Sequence, residues 1–405
     1  MATGRAVVVT GMGAVSAAGV GAEALWQAAK NGQGKIGEVE FSRPYTGRVR
    51  LGARVPDFDP SFIGKELLPY CDFFAQYAIG AADEAMESAG LPRDGIAGPR
   101  SAVILGTGVG GGHAIDDGMA RIYQAQARPE LLAVPRLIAS AGPAALTIRY
   151  SCTGPSFAIA SACSSATQAI GIGLQMIRAG LIDRALVGGS EACLTNGGQI
   201  AWENLRVLTP DKCRPFSKNR NGMNLGEGAG MFLLETAEAA QARGAKPLCE
   251  LAGYGTSSDA YDPVRPKAEG AIAAMRLALE DAGIAADDID YINAHGTATT
   301  LNDMTESEAV GEVFGARSRT IPISSTKPIH GHALGASGAL ELVCAINAMR
   351  DSVAPPTINW EVPDPKCEVD CIPNVAREMK IDTVMSNSFA FGGINAVLVV
   401  RKHAA

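Results

Sequence analysis

The chain has 405 residues, of which 47% are apolar, 19% charged and 5% aromatic, and its net charge is −7. This length predicts two domains or two fused halves, and the acidic balance excludes a general nucleic-acid binder because no broad basic field can neutralise phosphates. Nine scattered cysteines, no opening signal peptide and no apolar run long enough to span a bilayer predict a cytoplasmic protein with reduced thiols and no membrane span.

The first part of the chain alternates predicted strands with predicted helices. Short apolar runs that lead into glycines predict buried strands at 6–10, 102–105 and 184–187, and we expect the glycines to form turns. Alanine-rich runs with helical spacing predict helices at 74–89 and 166–179.

A comparable series follows a polar, alanine-rich junction at 237–246. Its predicted strands and helices, in chain order, are 248–254, 270–282, 290–294, 339–350, 383–386 and 396–401. Alternation in both parts indicates an α/β layered protein with an N-terminal half at 1–247 and a C-terminal half at 248–405.

The first segment that can carry chemistry is S-A-C-S-S at 161–165, between a predicted strand at 156–160 and a predicted helix. Cys163 therefore lies near a helix N-terminus, where free N–H groups and the helix dipole favour a thiolate. A thiolate in such a turn can accept an acyl group. The alternative is a small structural cysteine buried in a strand–helix turn.

Three of the five histidines lie in two further segments, N-A-H-G-T-A-T at 293–299 and S-S-T-K-P-I-H-G-H-A-L-G-A-S-G at 324–338. His295 follows a predicted strand, as a site residue would, although it can equally be a satisfied turn histidine. His330 and His332 lack accompanying carboxylate or cysteine ligands, so no metal site is predicted. The second segment is rich in glycine but lacks the Walker pattern for phosphate.

The fourth segment, S-N-S-F-A-F-G-G-I-N at 386–395, places Phe389 and Phe391 in a glycine turn, where they can form a flap or serve as core aromatics. Cys367 and Cys371 have no second cysteine pair, so a zinc site is not predicted. A basic cluster is either a solvated loop or a docking patch for an acidic partner. Its members are Arg206, Lys212, Arg214, Lys218 and Arg220.

Together the four segments resemble the β-ketoacyl-acyl-carrier-protein synthases of the KAS I/KAS II type, and the resemblance runs from T-G-M-G-A-V-S to the final strand. Within that family the chain is similar to the branch that contains nodulation protein E, through stretches that begin at Trp202, Asp259 and Pro363. The resemblance implies the thiolase fold, in which two similar halves form α-β-α-β-α layers, and a homodimer. It also implies acyl- and malonyl-loaded acyl carrier protein as partner, and neither a cofactor nor a metal.

The resemblance assigns the chemistry to four residues: Cys163, His295, His332 and Lys327. Cys163 holds the acyl chain as a thioester. The two histidines donate N–H groups to the enolate that forms when malonyl carrier protein loses CO2. Lys327 orders the site electrostatically, and Glu306 is implied as its partner.

Other implied residues surround the substrate. Backbone N–H groups of Cys163 and Phe391 form the oxyanion hole, and Phe391 with Phe389 gates the entrance. Thr297 and Thr299 hold the phosphopantetheine arm. The remaining implied positions are Val109 and Trp202 in the acyl pocket, and Lys65, Arg206, Lys212 and Arg214 in carrier docking.

Two other functions stay open. A non-catalytic partner subunit, like the chain-length factors of type II polyketide systems, resembles the same family but has lost the active cysteine, which is present here. A thiolase or acyltransferase that uses coenzyme A would require a second catalytic cysteine near the C-terminal glycine turn. The predicted function is therefore a condensing enzyme of fatty acyl, polyketide or polyene chains.

Overall fold

The computed structural model describes residues 5–403. Its strands are β1 Val7–Ser16, β2 Gly19–Val20, β3 Gly37–Glu38, β4 Leu51–Ala53, β5 Ser101–Gly106, β6 Ser156–Ile159, β7 Arg184–Glu191, β8 Leu225–Gly226, β9 Gly228–Thr236, β10 Cys249–Ser258, β11 Tyr291–Asn293, β12 Ile323–Ser324, β13 Val353–Ala354, β14 Arg377–Glu378, β15 Thr383–Ala390 and β16 Ile394–Arg401. Its α-helices are α1 Ala22–Lys30, α2 Phe73–Ser88, α3 Gly112–Tyr123, α4 Ala133–Leu137, α5 Ala141–Tyr150, α6 Ser165–Arg178, α7 Asn196–Asn204, α8 Ala237–Ala242, α9 Ala268–Ala282, α10 Thr300–Phe314, α11 Lys327–His330 and α12 Ser337–Asp351.

The two parts of the chain have the same strand topology. In space the N-terminal strands follow the order β1-β9-β7-β5-β6, and the C-terminal strands follow β10-β16-β15-β11-β12. In each set the first two pairings are antiparallel and the last two are parallel. Strands β1 and β10 pair with each other and join the two sets into one continuous sheet.

Helices form three layers around these strands. One outer layer, with α2 and α5, buries its apolar residues against the N-terminal strands. The other outer layer, with α9 and α10, does the same for the C-terminal strands. Helices α6 and α12 contribute to a core shared with strands from both sets. The α-β-α-β-α arrangement implied by the resemblance is confirmed.

The glycines after the predicted strands do not form turns, so that expectation is wrong for β1 and β7. Strand β1 continues through Gly11 and Gly13, and β7 continues through Gly188 and Gly189. The reason is close packing: a Cβ on Gly11 would overlap the carbonyl oxygen of Ala85 in α2. These glycines allow a neighbouring backbone to pack closely against the strand, and the chain does not reverse there.

Within residues 5–403, no helix is long and apolar enough to cross a membrane. Each of the nine cysteines is free and buried.

Candidate active site

A strained turn presents Cys163 between β6 and α6. Residues Ala162–Ser164 form one turn of 3-10 helix, and Ala162 has a φ of 49°, in the left-handed region that costs energy for a residue with a Cβ. The Oγ of Ser164 donates to the carbonyl oxygens of Ser388, at 3.0 Å, and Ile394, at 2.7 Å. The turn is therefore anchored to the hairpin of β15 and β16, and Cys163 is buried.

His332 contacts the thiol directly. Its Nε2 lies 3.1 Å from the Sγ of Cys163. On the other side of the ring, Nδ1 accepts the backbone N–H of Leu334 at 3.2 Å and lies 2.7 Å from the Oγ of Ser337. Because a backbone N–H can only donate, Nδ1 carries no proton, and the neutral ring directs its Nε2–H at the sulfur.

His295 has the same tautomer for a different reason. The ammonium of Lys327 lies 3.3 Å from Nδ1 and can only donate, so Nδ1 is the acceptor and Nε2 carries the proton. The two imidazole rings meet edge to face with centroids 5.4 Å apart. Burial, followed by the charge of Lys327, lowers the pKa of each histidine well below its usual range. Both rings are therefore neutral N–H donors.

The partner of Lys327 is Glu341 in α12, so the expected pairing with Glu306 is wrong. The Lys327 ammonium donates to Glu341 Oε1 and to the carbonyl oxygen of His295. Burial raises the pKa of Glu341 to about 7, and Lys327 opposes that shift. Glu341 belongs to none of the four sequence segments that predicted chemistry. The available signal was its position as an acidic residue within the apolar part of α12.

Glu306 instead supports the backbone beside His295. Its two carboxylate oxygens accept the N–H groups of His295 and Gly296, each at 2.8 Å, and the side-chain amide of Asn387 donates to it at 3.2 Å. It therefore fixes the loop after β11 without approaching the thiol.

Burial opposes the thiolate that the helix N-terminus favours. Burial raises the pKa of Cys163 to about 12, while Lys327 and a hydrogen bond from the backbone N–H of Phe391 act in the opposite direction. Burial therefore favours the thiol form of Cys163 before substrate binds. The backbone N–H of Phe391 thus lies beside the sulfur, where a bound thioester would place its carbonyl group.

A cavity of about 260 Å³ connects these groups to the surface. Cys163, His295 and His332 line its inner end, and Thr297 and Thr299, whose hydroxyls are 2.9 Å apart, line its wall. The ring of Phe391 stacks on Trp202 with centroids 5.6 Å apart and an interplanar angle of 16°. One potential ligand atom from each of Cys163, His295 and His332 lies within 4.8 Å of the others. Because the Nε2 atoms are protonated, this arrangement suits hydrogen-bond donation better than metal ligation.

Two family models match the chain. The β-ketoacyl synthase N-terminal domain matches residues 4–240, and the β-ketoacyl synthase C-terminal domain matches residues 248–361.

The chain belongs to the β-ketoacyl synthase family.

Relatives of this synthase cover nearly its whole length. It is 42% identical over 399 residues to nodulation protein E of Rhizobium sp. (strain N33), covering 98% of this chain and 99% of the relative. It is 39% identical over 408 residues to 3-oxoacyl-[acyl-carrier-protein] synthase 2 of Coxiella burnetii (strain RSA 493 / Nine Mile phase I), again covering 98% and 99%. Among solved structures, the ishigamide ketosynthase/chain length factor superimposes with a TM-score of 0.95 at 34% identity, covering 99% of this chain and 100% of the other. The synthase is thus an acyltransferase of the condensing-enzyme class.

Some residues implied by the resemblance lie away from the synthase cavity. Val109 is 47% exposed and does not line it. Lys65 borders a surface groove with Tyr70 and Arg149, and Lys212 borders another groove beside Trp360. Trp202 and Arg206 do line the cavity.

Arg214 and Arg220 are not available as docking residues, because both are buried in ion pairs. Arg214 bonds the carboxylates of Asp211, at 2.7 Å, and Glu361, at 3.1 Å. Arg220 is held by Asp364 at 2.5 Å. The basic cluster read from the sequence is therefore partly internal.

Proposed function

We propose that this synthase extends an acyl group, held as a thioester on Cys163, by decarboxylative condensation with malonyl carrier protein. The observation that carries the proposal is the convergence of Cys163, His295 and His332 at the inner end of one cavity. Each of the two histidines presents an N–H, and the sulfur lies within contact of one of them.

In the first half-reaction, the sulfur of Cys163 attacks the carbonyl carbon of an acyl thioester. The oxyanion is stabilised by the backbone N–H groups of Cys163 and Phe391, and the helix dipole of α6 favours the negative charge near the turn. The thioester of the carrier breaks, and the proton of the Cys163 thiol passes to the departing carrier thiolate. The chain is left acylated on Cys163.

In the second half-reaction, malonyl carrier protein enters the same cavity. The bond between the malonyl methylene carbon and the carboxylate breaks, CO2 leaves, and the electron pair of that bond forms an enolate. The Nε2–H groups of His295 and His332 donate to the enolate oxygen, and each preorganised donor is worth about 3 kcal/mol of transition-state stabilisation. The enolate carbon attacks the acyl carbon, and expulsion of the Cys163 thiolate gives the β-ketoacyl product.

The cavity wall supports acyl carrier protein as the donor. Thr297 and Thr299 present hydroxyls that suit the amides of a pantetheine arm, and Arg206 stands exposed at the mouth for an acidic carrier. Lys65 and Lys212 are exposed at separate grooves and are proposed as outer docking contacts. The name of the Coxiella burnetii relative includes the same carrier.

An apolar surface supports a homodimer. Side chains on or near α3 and α4 are exposed without an apolar neighbour to cover them, among them Leu131 at 97% and Tyr123 at 77%. Val109 lies between β5 and α3 and is itself exposed, and we propose that a second copy covers it and brings it to the acyl chain. Trp202 would border that chain from the cavity side. Sedimentation of the wild type and of Leu131→Glu tests this: a monomeric wild type contradicts the dimer.

Two further assignments belong to this proposal. We infer that the chain divides at 247/248, between the stretches matched by the two family models. Free buried thiols suit the reducing cytoplasm, where we place the reaction.

The decisive experiment offers the protein a panel of acyl carrier proteins of different chain lengths together with malonyl carrier protein. We expect β-ketoacyl products by mass spectrometry and an acyl adduct on Cys163. Folded protein that yields no product with any member would contradict the proposal and favour a non-catalytic partner subunit.

A further inference from the structure

Two guanidinium groups without partners stand at the mouth of the cavity. Arg206 follows α7 in the N-terminal part, and Arg265 lies in the loop between β10 and α9 in the C-terminal part, yet both line the same cavity. Within residues 5–403 only the backbone N–H of each makes a hydrogen bond, to the Glu203 carbonyl and to Asp262. Nearby Arg214 and Arg220, by contrast, are neutralised by carboxylates.

The loop that carries Arg265 is held rigidly. The Oδ1 of Asp262 accepts the N–H groups of Val264 at 2.8 Å and Arg265 at 2.9 Å, so this carboxylate closes a turn. The Arg265 guanidinium is close enough to help lower the pKa of Asp262 but makes no hydrogen bond with it. The carbonyl of Pro263 accepts the N–H of Gly392 at 2.8 Å, next to Phe391. The Arg265 loop is thus bonded to the turn that gates the cavity.

The wall between this mouth and the thiol carries no free charge. Val264, Leu301, Asn302 and the Thr297–Thr299 pair line the outer part, and the neutral imidazoles line the inner end. A pantetheine arm whose thiol reaches Cys163 must leave its phosphate at the opposite end, at the mouth. Guanidinium groups match phosphate oxygens in both charge and planar geometry.

We propose that Arg265 and Arg206, one from each half of the chain, bind the phosphate at the distal end of the substrate's pantetheine arm. This assignment rests on the proposed function. The phosphate is either the phosphodiester of a carrier protein or the pyrophosphate of coenzyme A, and the same two side chains recognise both. Contact with Arg265 also holds the loop bonded to the gate turn.

The test compares the rate of Cys163 acylation, followed by intact-protein mass spectrometry, for acyl-pantetheine and acyl-phosphopantetheine. The two substrates differ only by the phosphate. In Arg265→Ala and in Arg206→Ala, the ratio of the phosphopantetheine rate to the pantetheine rate should fall about tenfold, the size of a charge-assisted hydrogen bond at a partly hydrated site. Arg48→Ala, which removes another exposed arginine outside the cavity, should leave the ratio at its wild-type value.

The same variants are also assayed with acyl-CoA and with acyl carrier protein. The substrate whose acylation rate falls more in the variants identifies the source of the phosphate. An unchanged ratio in both variants would overturn the proposal. This holds even if both rates fall, because an equal loss with the two pantetheine substrates leaves the ratio unchanged and means that the arginines support the loop and not the phosphate. Failure of the wild type to acylate Cys163 with any substrate would instead count against the proposed function.

Discussion

The two halves of this synthase contain the same turn twice and use it differently. In the N-terminal half, β6 leads directly into the turn Ala162–Ser164 and then α6. In the C-terminal half, β12 is followed by α11 and a longer segment before the turn Leu334–Ala336 and then α12. The first residue of each turn has a left-handed backbone, with a φ of 49° at Ala162 and 43° at Leu334.

At the second position of the turn the halves diverge. Cys163 stands there in the N-terminal half and Gly335 in the C-terminal half. A Cβ on Gly335 would overlap the backbone of Gly108, and its N–H is used by the Glu191 carboxylate at 3.1 Å. The C-terminal turn therefore carries no nucleophile, and the longer segment before it brings Lys327 and His332 to the cysteine of the other half. The difference teaches that the repeated fold supplies the backbone, whereas the active site depends on where the repeats differ.

The largest effect should come from removing the one nucleophile. Cys163→Ala should reduce chain elongation by about 10⁴-fold or more and abolish the acyl adduct, because the proposed mechanism holds the acyl chain on this thiol alone. The matched control is Cys193→Ala, which removes a buried thiol from the same apolar cluster. It should keep the adduct. An adduct that persists in Cys163→Ala would show that the nucleophile was assigned to the wrong cysteine.

The two histidines should separate the half-reactions. His295→Ala and His332→Ala should each slow decarboxylation of malonyl carrier protein by about 10²- to 10³-fold, because each removes one donor to the enolate. Acylation should suffer more in His332→Ala, since only His332 contacts the sulfur. Decarboxylation and acylation are measured separately, by CO2 release and by intact mass. Equal losses in both steps for both variants would mean that the histidines act structurally.

The Lys327 pair tests the corrected connectivity. Lys327→Ala leaves the Glu341 carboxyl buried without its cation and should destabilise the fold by about 3–5 kcal/mol. A double-mutant cycle with Glu341→Gln should give a coupling of about 1–3 kcal/mol in chemical denaturation. The matching cycle with Glu306→Gln should give almost none, because Glu306 bonds backbone N–H groups instead. Stronger coupling to Glu306 would restore the pairing expected from the sequence.

Sequence reasoning succeeded where a local pattern determines the structure. The helical spacing at 166–179 anticipated α6 to within one residue, and the order of the four segments indicated the family before any contact was known. The condensing-enzyme class is confirmed. The individual roles of the site residues stay predictions.

Sequence reasoning failed where contacts between residues distant in the chain determine the structure. Gly11 and Gly188 were predicted to form turns because the helix and strand that pack on them are distant in the sequence. Glu341 was missed as the partner of Lys327 because it belongs to no motif. Arg214 looked exposed because its partner Glu361 lies 147 residues away. The unpaired state of Arg265 could be recognised only from its surroundings.

The pH dependence of stability should report the Glu191 carboxylate, which accepts the N–H groups of Gly108 after β5 and Gly335 in the C-terminal turn. Burial raises the pKa of Glu191 to about 7, above its ordinary value of 4.5, so the folded protein binds its proton more tightly than the unfolded chain does. Its contribution is therefore complete below pH 4.5 and is lost as the pH rises toward 7, by up to about 3 kcal/mol. His113, whose pKa is lowered to about 4, acts in the opposite sense, so the wild-type curve alone does not isolate Glu191.

The difference between wild type and Glu191→Gln does isolate it. Free energies of unfolding measured from pH 4.5 to pH 7 should converge as the pH rises, because only the wild type loses stability from this group. Infrared difference spectra between the wild type and the variant distinguish the Glu191 carboxyl from other buried acids such as Glu341, whose pKa burial also raises to about 7. A carboxyl already ionised at pH 5 would contradict the expected shift.

The smallest effect concerns the repeated left-handed residues themselves. Glycine removes the steric cost of a positive φ but gives the unfolded chain more freedom, so Ala162→Gly should stabilise the protein by at most about 1 kcal/mol. Leu334→Gly gains the same backbone relief but deletes a buried side chain, and should be destabilising by about 2–4 kcal/mol net. Thermal and denaturant unfolding of the two variants should therefore move in opposite directions. A destabilised Ala162→Gly would contradict the prediction, because it would mean that the strain relieved at Ala162 is smaller than the freedom that glycine adds to the unfolded chain.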